Sequence, residues 1–314
     1  MTKIALVFPG QASQYVGMGS EFYNKYPVAK QTLDTANEVL GYDLKKIIFE
    51  GPLEVLTQTK YTQPAVFTTS VACFRVFTSR FPLSASHCFT AGHSLGEYSA
   101  LVASEVLSFE DAIRLVNKRA ELLQAACDKT KGTMLAVLGA EKQTVEELCA
   151  EARTAGICEA VNFNAPGQIV ISGEIAAIEK AKQIAKEKKI KAIPLAVSGA
   201  FHSPLMKEAA DILAGEIKKY RFSNPKYPVV SNCDAVITRD AAEIPEKLIK
   251  QVASPVLWID SVNNMISQGC GVFVELGPKA IVSGMIKKIS AQPKIFNIEN
   301  DATLIQALEA LKNI

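Results

Sequence analysis

The sequence has few histidines, little net charge and no long hydrophobic run. It contains three histidines in 314 residues, and 34 Lys and Arg nearly cancel 32 Asp and Glu. Because nucleic-acid-binding proteins usually carry a basic excess, the net charge of +2 argues against a nucleic-acid partner. No uncharged apolar run approaches the ~18 residues of a membrane-spanning helix, so we expect no membrane partner. The N-terminal sequence MTKIALVFPG lacks the apolar core and the cleavage site of a signal peptide.

The cysteines also lack any pattern that would suggest a structural role. There are seven, an odd number, and no two of them form a CxxC pair. This spacing predicts neither a disulfide framework nor a zinc site, so we expect no metal. A reducing, cytoplasmic location fits this usage best.

What the sequence does contain is the pattern of an α/β protein. Apolar residues make up 48% and charged residues 21%, which is typical of a globular chain with one large domain or two ordinary ones. Short apolar runs followed by helical stretches predict strands at 4–8, 87–91, 229–232, 272–276 and 295–298. Strand–helix alternation predicts a hydrolase-like, mostly parallel sheet that is flanked by helices on both faces.

Residues 129–198 follow a different order. Strands are predicted at 132–139, 156–161, 168–172 and 191–197, helices at 142–153 and 174–187, and a turn-rich loop at 162–167. This βαβ–βαβ order is the ferredoxin-like pattern. We therefore predict a small ferredoxin-like subdomain at 129–198, inserted into a large catalytic subdomain formed by residues 1–128 and 199–314.

A nucleophile motif follows the second predicted strand. Gly92-His93-Ser94-Leu95-Gly96 matches G-x-S-x-G with a strand before it and a helix after it, which is the context that this motif requires. The two glycines permit a sharp turn that presents Ser94, and the backbone N–H of Leu95 starts a helix where it can face an oxyanion. The alternative is an ordinary glycine-flanked turn.

A serine nucleophile needs a base, and the three histidines can be tested in turn. His93 is adjacent to Ser94, so its side chain projects elsewhere and we expect a structural role. His87 lies seven residues back along the strand, roughly 20 Å away at ~3.3 Å per residue. His202 remains, in a loop (198–204) where a catalytic side chain can be presented. No acid that would orient His202 is evident between 94 and 202. Either a neutral group orients the imidazole or the sequence does not reveal the acid.

Arg119 lies on the apolar side of a predicted helix at 109–126. Leu115, Val116, Leu122 and Leu123 surround it at helical spacing. A buried arginine keeps its charge and needs an anion, and its planar fork fits a carboxylate. It therefore either pairs with an internal acid or snorkels to the surface, or it holds a substrate carboxylate near Ser94.

The motifs together resemble those of one enzyme family. The chain is similar, nearly end to end, to the malonyl-CoA:acyl-carrier-protein transacylases of fatty-acid synthesis and to the acyltransferase domains of polyketide synthases. The resemblance rests on Arg119 and on segments in family order: FPGQASQYVGMG (8–19), YTQPA (61–65), GHSLGEYSAL (92–101), NAPGQIVISG (164–173), GAFHSPLM (199–206), SPVLW (254–258) and VELGPKAIVSG (274–284).

The resemblance implies a ping-pong transfer through a Ser-His dyad. Ser94, activated by His202, would take malonyl from malonyl-CoA, and the phosphopantetheine thiol of acyl carrier protein would then accept it. The backbone N–H groups of Gln11 and Leu95 would form the oxyanion hole. Arg119 would hold the malonate carboxylate, and the main-chain carbonyl of Gln251 would orient the histidine. No cofactor is implied.

The resemblance also assigns residues to the substrate pocket. Gln63 and Asn162 match polar positions that line the family's cleft, and we place His93 there as well. Phe201, before the histidine, goes with malonyl selection, whereas serine at that position goes with methylmalonyl units. Ala120 departs from the glycine that many members carry, which would tighten the pocket slightly.

The expected partners are malonyl-CoA and an acidic carrier protein, and we expect a monomer. Lysines cluster at 180–191, with a second pair at Lys287 and Lys288. Either cluster could steer carrier docking, although a solvated helix face explains most of these lysines.

Three alternatives stay open at this point. A discrete polyketide-type acyltransferase would share every motif. A serine esterase or thioesterase would share the Ser–His chemistry. A non-catalytic carrier-binding subunit is disfavoured because Ser94, His202 and Arg119 are all present.

Overall fold

The computed structural model describes residues 2–197 and 199–312. Its strands in those ranges are β1 (Lys3–Phe8), β2 (Cys88–Gly92), β3 (Gly132–Leu138), β4 (Cys158–Ala165), β5 (Gln168–Glu174), β6 (Lys191–Pro194), β7 (Val229–Val230), β8 (Ile237–Thr238), β9 (Cys270–Leu276) and β10 (Lys294–Ile298).

The α-helices of the described ranges alternate with these strands. They are α1 (Ser20–Lys25), α2 (Pro27–Leu40), α3 (Leu44–Glu50), α4 (Leu53–Leu56), α5 (Thr59–Thr78), α6 (Gly96–Ala103), α7 (Phe109–Lys129), α8 (Lys142–Ala152), α9 (Ile175–Glu187), α10 (Lys207–Ile217), α11 (Ile244–Val252), α12 (Trp258–Ser267), α13 (Ile281–Ile289) and α14 (Asp301–Leu311).

The large sheet confirms the predicted hydrolase-like α/β class. Its strand order is β10-β9-β1-β2-β7-β8, and every neighbouring pair is parallel except β7–β8. The short antiparallel β8 is absent from the sequence prediction. Helix α5 is buried along almost its whole length. The sheet places the carboxyl end of β2, where Ser94 follows, near its centre.

The small sheet confirms the ferredoxin-like prediction. Its order is β4-β5-β3-β6 and all its pairs are antiparallel. Helices α8 and α9 contribute apolar side chains to a core that they share with this sheet. The division of the chain at 128/129 and 198/199 stays a prediction, and Ser198 lies outside the described residues.

Two boundaries in this region were wrong. The predicted loop at 162–167 is largely strand, because β4 continues to Ala165 and only Pro166 and Gly167 form the turn. The pairing of β4 with β5 shifts register at Ala160/Asn162 and again at Phe163/Ala165, so turn-forming residues are accommodated as irregularities within a strand. Conversely, β6 ends at Pro194 rather than at Val197.

A short parallel bridge ties the small sheet to the segment between α11 and α12, beside the candidate site. Asn162 in β4 pairs with Val256, and the Phe163 N–H donates to the Val256 carbonyl at 3.0 Å. The Val256 N–H in turn donates to the Val161 carbonyl at 2.7 Å. The Leu257 N–H donates to the Asn232 carbonyl at 2.9 Å, so the segment between α11 and α12 connects the small sheet to the residues that follow β7, beside the candidate site.

Candidate active site

Ser94 lies at a strained turn between β2 and α6. Its φ is +52°, in the left-handed region that non-glycine residues rarely adopt. The flanking glycines are required by space: a Cβ on Gly92 would lie 2.0 Å from the Gly96 carbonyl carbon. A Cβ on Gly96 would lie 2.3 Å from the Phe8 carbonyl oxygen. The tight turn expected from the motif is therefore present.

Asn232, which follows β7, bridges the two sides of this turn. Its Oδ1 accepts a hydrogen bond from the Ser94 backbone N–H at 2.6 Å, and its Nδ2 donates to the Gly92 carbonyl at 2.7 Å. The Asn232 side chain is fully buried. It therefore pairs two backbone groups that the sharp turn would otherwise leave unsatisfied, which stabilises the strained conformation.

His202 lies within hydrogen-bonding distance of the serine. Its Nε2 is 2.7 Å from Ser94 Oγ, and its Nδ1 is 2.8 Å from the Gln251 carbonyl oxygen. A carbonyl only accepts, so Nδ1 carries the proton in the neutral ring and Nε2 presents its lone pair to the serine hydroxyl. This is the tautomer that a general base needs.

Arg119 on α7 reaches Ser94 from the other side. Its side chain is buried, and Nη2 donates to Ser94 Oγ at 3.2 Å and to Gln251 Oε1 at 3.1 Å. Nη1 donates to Gln63 Oε1 at 2.6 Å, while the buried Nε has no partner among the described residues. No carboxylate of the described residues forms an ion pair with it. Arg119 is therefore a buried cation that neutral groups hold in place and whose fork can still receive an anion.

These groups face a cleft with an empty volume of about 680 Å³ that is open to solvent. The cleft contains the predicted residues Gln11, Gln63, His93, Ser94, Leu95, Arg119, Asn162, Phe201 and His202, and in addition Ala12, Leu123, Met134, Leu195, Val197 and Val252. Gln251 is fully buried behind it.

Two backbone N–H groups are free to receive an oxyanion. Gln11 and Leu95 both line the cleft, and neither backbone N–H donates to another of the described residues. Leu95 is the N-cap of α6, where the first N–H groups have no partner within the helix. Unpaired N–H groups beside a nucleophile are the usual construction of an oxyanion hole.

The electrostatics keep His202 neutral in the empty site. Burial, and then the positive charge of Arg119, lower the pKa of His202 from its usual value to about 3. Neutral imidazole is the form that accepts a proton. An anion bound to Arg119 would offset the positive charge of the guanidinium, which would raise the pKa of His202 and make it a stronger base.

The other two histidines lie apart from the serine hydroxyl. His93 Nε2 is 2.8 Å from Asn164 Oδ1, and its ring packs against Trp258. His87 is in a short 3₁₀ turn before β2 and contacts Ser84 and Ser86. Asn162 lies on β4, and its buried Oδ1 has no partner among the described residues.

Sequence reasoning missed several residues of the site. The apolar side chains of Met134, Leu195 and Val197 enter the cleft from the small sheet and the segment after it. Asn232 and Glu97 are buried polar residues behind the nucleophile. A signal for Glu97 was present, since it is the one acid in the otherwise apolar and uncharged GEYSALVA of α6.

The described residues contain no cluster of His, Cys, Asp or Glu suited to a metal ion. All seven cysteines lie in the described ranges as free thiols. Among the described helices, none combines the length and the apolar character needed to cross a membrane.

Comparison with known proteins identifies the family of the chain. The family described as "Acyl transferase domain" matches residues 5–305. A malonyl CoA-acyl carrier protein transacylase of Bacillus subtilis is 43% identical over 314 residues, covering 99% of this chain and 98% of the relative.

Solved structures give the same picture. An acyl-carrier-protein S-malonyltransferase from Burkholderia pseudomallei is 42% identical, with a TM-score of 0.94 over 98% of this chain and 99% of that one. A malonyl-transacylase solved in complex with its type II PKS acyl-carrier protein is 41% identical, with a TM-score of 0.94 over 98% of this chain and 100% of that one.

Proposed function

The chain belongs to the acyl transferase domain family, and from that premise we propose that it is a malonyl-CoA:acyl-carrier-protein transacylase of fatty-acid biosynthesis. It moves a malonyl group from CoA to the phosphopantetheine thiol of an acyl carrier protein. The observation that carries the proposal is the Arg119 guanidinium, which lies 3.2 Å from the Ser94 hydroxyl in a buried site without a carboxylate partner in the described chain. A dicarboxylic acyl group supplies the missing anion.

The first half-reaction forms a malonyl-serine. Ser94 Oγ attacks the thioester carbonyl while its proton passes to His202 Nε2, and the N–H groups of Gln11 and Leu95 stabilise the oxyanion. The C–S bond then breaks, and the imidazolium returns the proton to the departing CoA sulfur. Arg119 holds the malonate carboxylate throughout, which places the carbonyl carbon against Oγ.

The second half-reaction is the same chemistry in reverse with a different thiol. His202 takes the proton of the phosphopantetheine thiol, whose sulfur attacks the malonyl ester, and Ser94 regains a proton as it leaves. The thioester is already activated, so the reaction needs no cofactor. The monomeric state and the cytoplasmic location stay predictions.

The lifetime of the malonyl-enzyme separates a transferase from a thioesterase. We expect malonyl-labelled protein to keep its label in buffer and to lose it rapidly when holo-carrier protein is added. Apo-carrier protein, which lacks the thiol, is the matched control and should leave the label in place. Loss of the label to water within seconds, with no acceptor present, would identify a hydrolase instead.

Phe201 sets the choice of acyl group in this proposal. It lines the cleft and packs with Met134 and Val161 of the small sheet. Replacing it with serine opens space for an α-methyl group, so we expect Phe201→Ser to raise the methylmalonyl-to-malonyl ratio of kcat/KM about 10-fold or more. A competition assay with both thioesters measures this ratio in one sample, which removes the effect of any misfolded fraction. An unchanged ratio would mean that another residue limits the pocket.

A polyketide pathway is the second candidate, favoured by the solved complex with a type II PKS acyl-carrier protein. Transfer rates to a fatty-acid carrier and to a type II polyketide carrier, measured with the same malonyl-enzyme, separate the two. For docking, the exposed Lys287 and Lys288 remain candidates. Two lysines at 180–191 pair with local acids, Lys182 with Glu179 and Lys188 with Glu151. These pairs make a role of this cluster in carrier docking less favoured.

A further inference from the structure

Glu97 is a buried carboxylate that the proposed mechanism does not use. It lies in the first turn of α6, three residues after the nucleophile, and is 2% exposed. Its Oε2 accepts two hydrogen bonds, from Gln251 Nε2 at 2.7 Å and from the Asn232 backbone N–H at 3.1 Å. A buried charge is expensive unless it is paired, so its presence directly behind the nucleophile calls for an explanation.

Both partners of Glu97 contact the Ser-His pair. Gln251 orients His202 through its main-chain carbonyl, and its side-chain Nε2 also donates to the Ser94 carbonyl at 2.9 Å. Asn232 accepts from the Ser94 backbone N–H. The carboxylate therefore fixes, through two neutral amides, the residues that hold the nucleophile and the base.

The amide of Gln251 also separates Glu97 from Arg119. Gln251 Oε1 accepts from Arg119 Nη2 at 3.1 Å while its Nε2 donates to Glu97. The cation and the anion are thus linked through one side chain and do not touch. A direct ion pair would occupy the guanidinium fork, whereas this arrangement compensates the charge of Arg119 and leaves the fork open to a ligand.

We propose that Glu97 is the acid of this dyad, acting as a positioning and charge-compensating residue through Gln251 and Asn232 rather than by contact with His202. The proposal rests on the proposed function. In the empty site the negative charge of Glu97 compensates the positive charge of Arg119. Once a malonyl carboxylate is on Arg119, Glu97 is the remaining anion, and it balances the imidazolium that forms when His202 takes the serine proton.

A charge-compensating role of Glu97 predicts kinetic effects that a purely structural role does not. In Glu97→Gln the amide can still accept from Gln251 and Asn232, so the geometry is retained and only the charge is lost. The imidazolium loses its counter-charge, and we expect the maximal rate of Ser94 acylation to fall about 10-fold, the order expected for a charge several ångströms away at an effective dielectric constant of ~20. Arg119 becomes less compensated, so the half-saturating concentration of malonyl-CoA should fall as well. With acetyl-CoA, whose acyl group has no free carboxylate, the maximal acylation rate should fall in the same way, whereas the half-saturating concentration should not change.

The pH profile gives a second readout. Burial raises the pKa of Glu97 to about 7. The titratable and charged groups that face it are Arg119 on α7, Asp234 and Cys233 after β7, and Tyr98 on its own helix. As the pH is lowered through about 7, Glu97 takes up a proton and loses its charge. His202 stays neutral in this range because its pKa is far lower. The acylation rate of the parent should therefore fall, on going to lower pH, to a plateau near the rate of Glu97→Gln. The variant itself should show no such step.

Single-turnover acylation with malonyl-CoA and with acetyl-CoA tests the proposal, at pH 8 and then across pH 5–9. Glu275→Gln is the matched control, because Glu275 is also a buried carboxylate with a pKa raised to about 7, but it caps α13 through the Val282 and Ser283 N–H groups. We expect Glu275→Gln to change thermal stability and neither kinetic constant.

Two outcomes would overturn the role of Glu97. One is a Glu97→Gln variant whose kinetic constants match those of the parent. The other is one whose rate falls only in proportion to its folded fraction, with half-saturation unchanged and the pH step retained. Failure of the proposed function has a different signature: the parent would react at Ser94 with a sulfonyl fluoride, a general serine reagent, but would not be labelled by malonyl-CoA.

Discussion

Ser94→Ala should form no covalent malonyl adduct, and its turnover should fall by about 10⁶-fold, as for the loss of a serine nucleophile that acts with its base as a unit. The hydroxyl is the one group at 2.7 Å from His202 Nε2 in the cleft of the described chain, and alanine leaves no oxygen to acylate. Intact-protein mass after mixing with malonyl-CoA measures the adduct directly.

Ser99→Ala is the matched control for this loss. Ser99 lies on α6, the helix that follows Ser94, is 1% exposed, and its Oγ has no hydrogen-bond partner among the described residues. Its removal should leave the adduct and the turnover unchanged. Persistent labelling of Ser94→Ala at another residue would contradict the assignment of the nucleophile.

Arg119→Ala should cost malonyl transfer about 2–4 kcal/mol of transition-state stabilisation, the range for losing one partner of a desolvated charge pair. Acetyl transfer should not fall by a comparable factor, because an acetyl group offers the guanidinium no carboxylate. Arg119→Lys should recover only part of the loss, since a single ammonium lacks the planar fork. The measurement is kcat/KM for malonyl-CoA and for acetyl-CoA with each variant.

Arg114→Ala provides the control on the same helix. Arg114 is about half exposed and pairs with Asp111, so its removal should alter neither substrate's kcat/KM. An equal loss of malonyl and acetyl transfer in Arg119→Ala would show that Arg119 supports the structure of the site rather than the substrate.

The parts of the fold that follow local patterns could be predicted from the sequence. The strand that contains Ile4–Phe8 and the strand that precedes the glycine-flanked Ser94 are short apolar runs bounded by turn residues, which is a recognisable local pattern. The inserted antiparallel sheet was also predicted, because the order of its elements is itself the signature. Asn162 was misplaced in a loop because residues typical of turns are accommodated by register shifts within β4.

The predictable part of the candidate site has the same origin. Because the sequence has three histidines, His202 could be identified as the one base within reach of Ser94. The apolar residues at helical spacing on α7 likewise predicted that Arg119 points inward. The lone acid of α6 is visible in the sequence, but the role of Glu97 is not, because its two partners are Gln251 and Asn232, more than 130 positions away in the sequence. Contacts of that kind depend on how the sheet and α11 pack, which no local pattern records.

The proposed mechanism depends most on a malonyl group carried by Ser94, and isolation of that intermediate tests the mechanism most directly. Protein mixed with malonyl-CoA, freed of CoA and digested should carry one malonyl group on the peptide that contains Ser94. The same isolated intermediate, mixed with holo-carrier protein in a single turnover, should pass that group to the phosphopantetheine thiol without added CoA. A protein that transfers malonyl only while CoA and carrier are bound together, with no Ser94 adduct at any time, would contradict it.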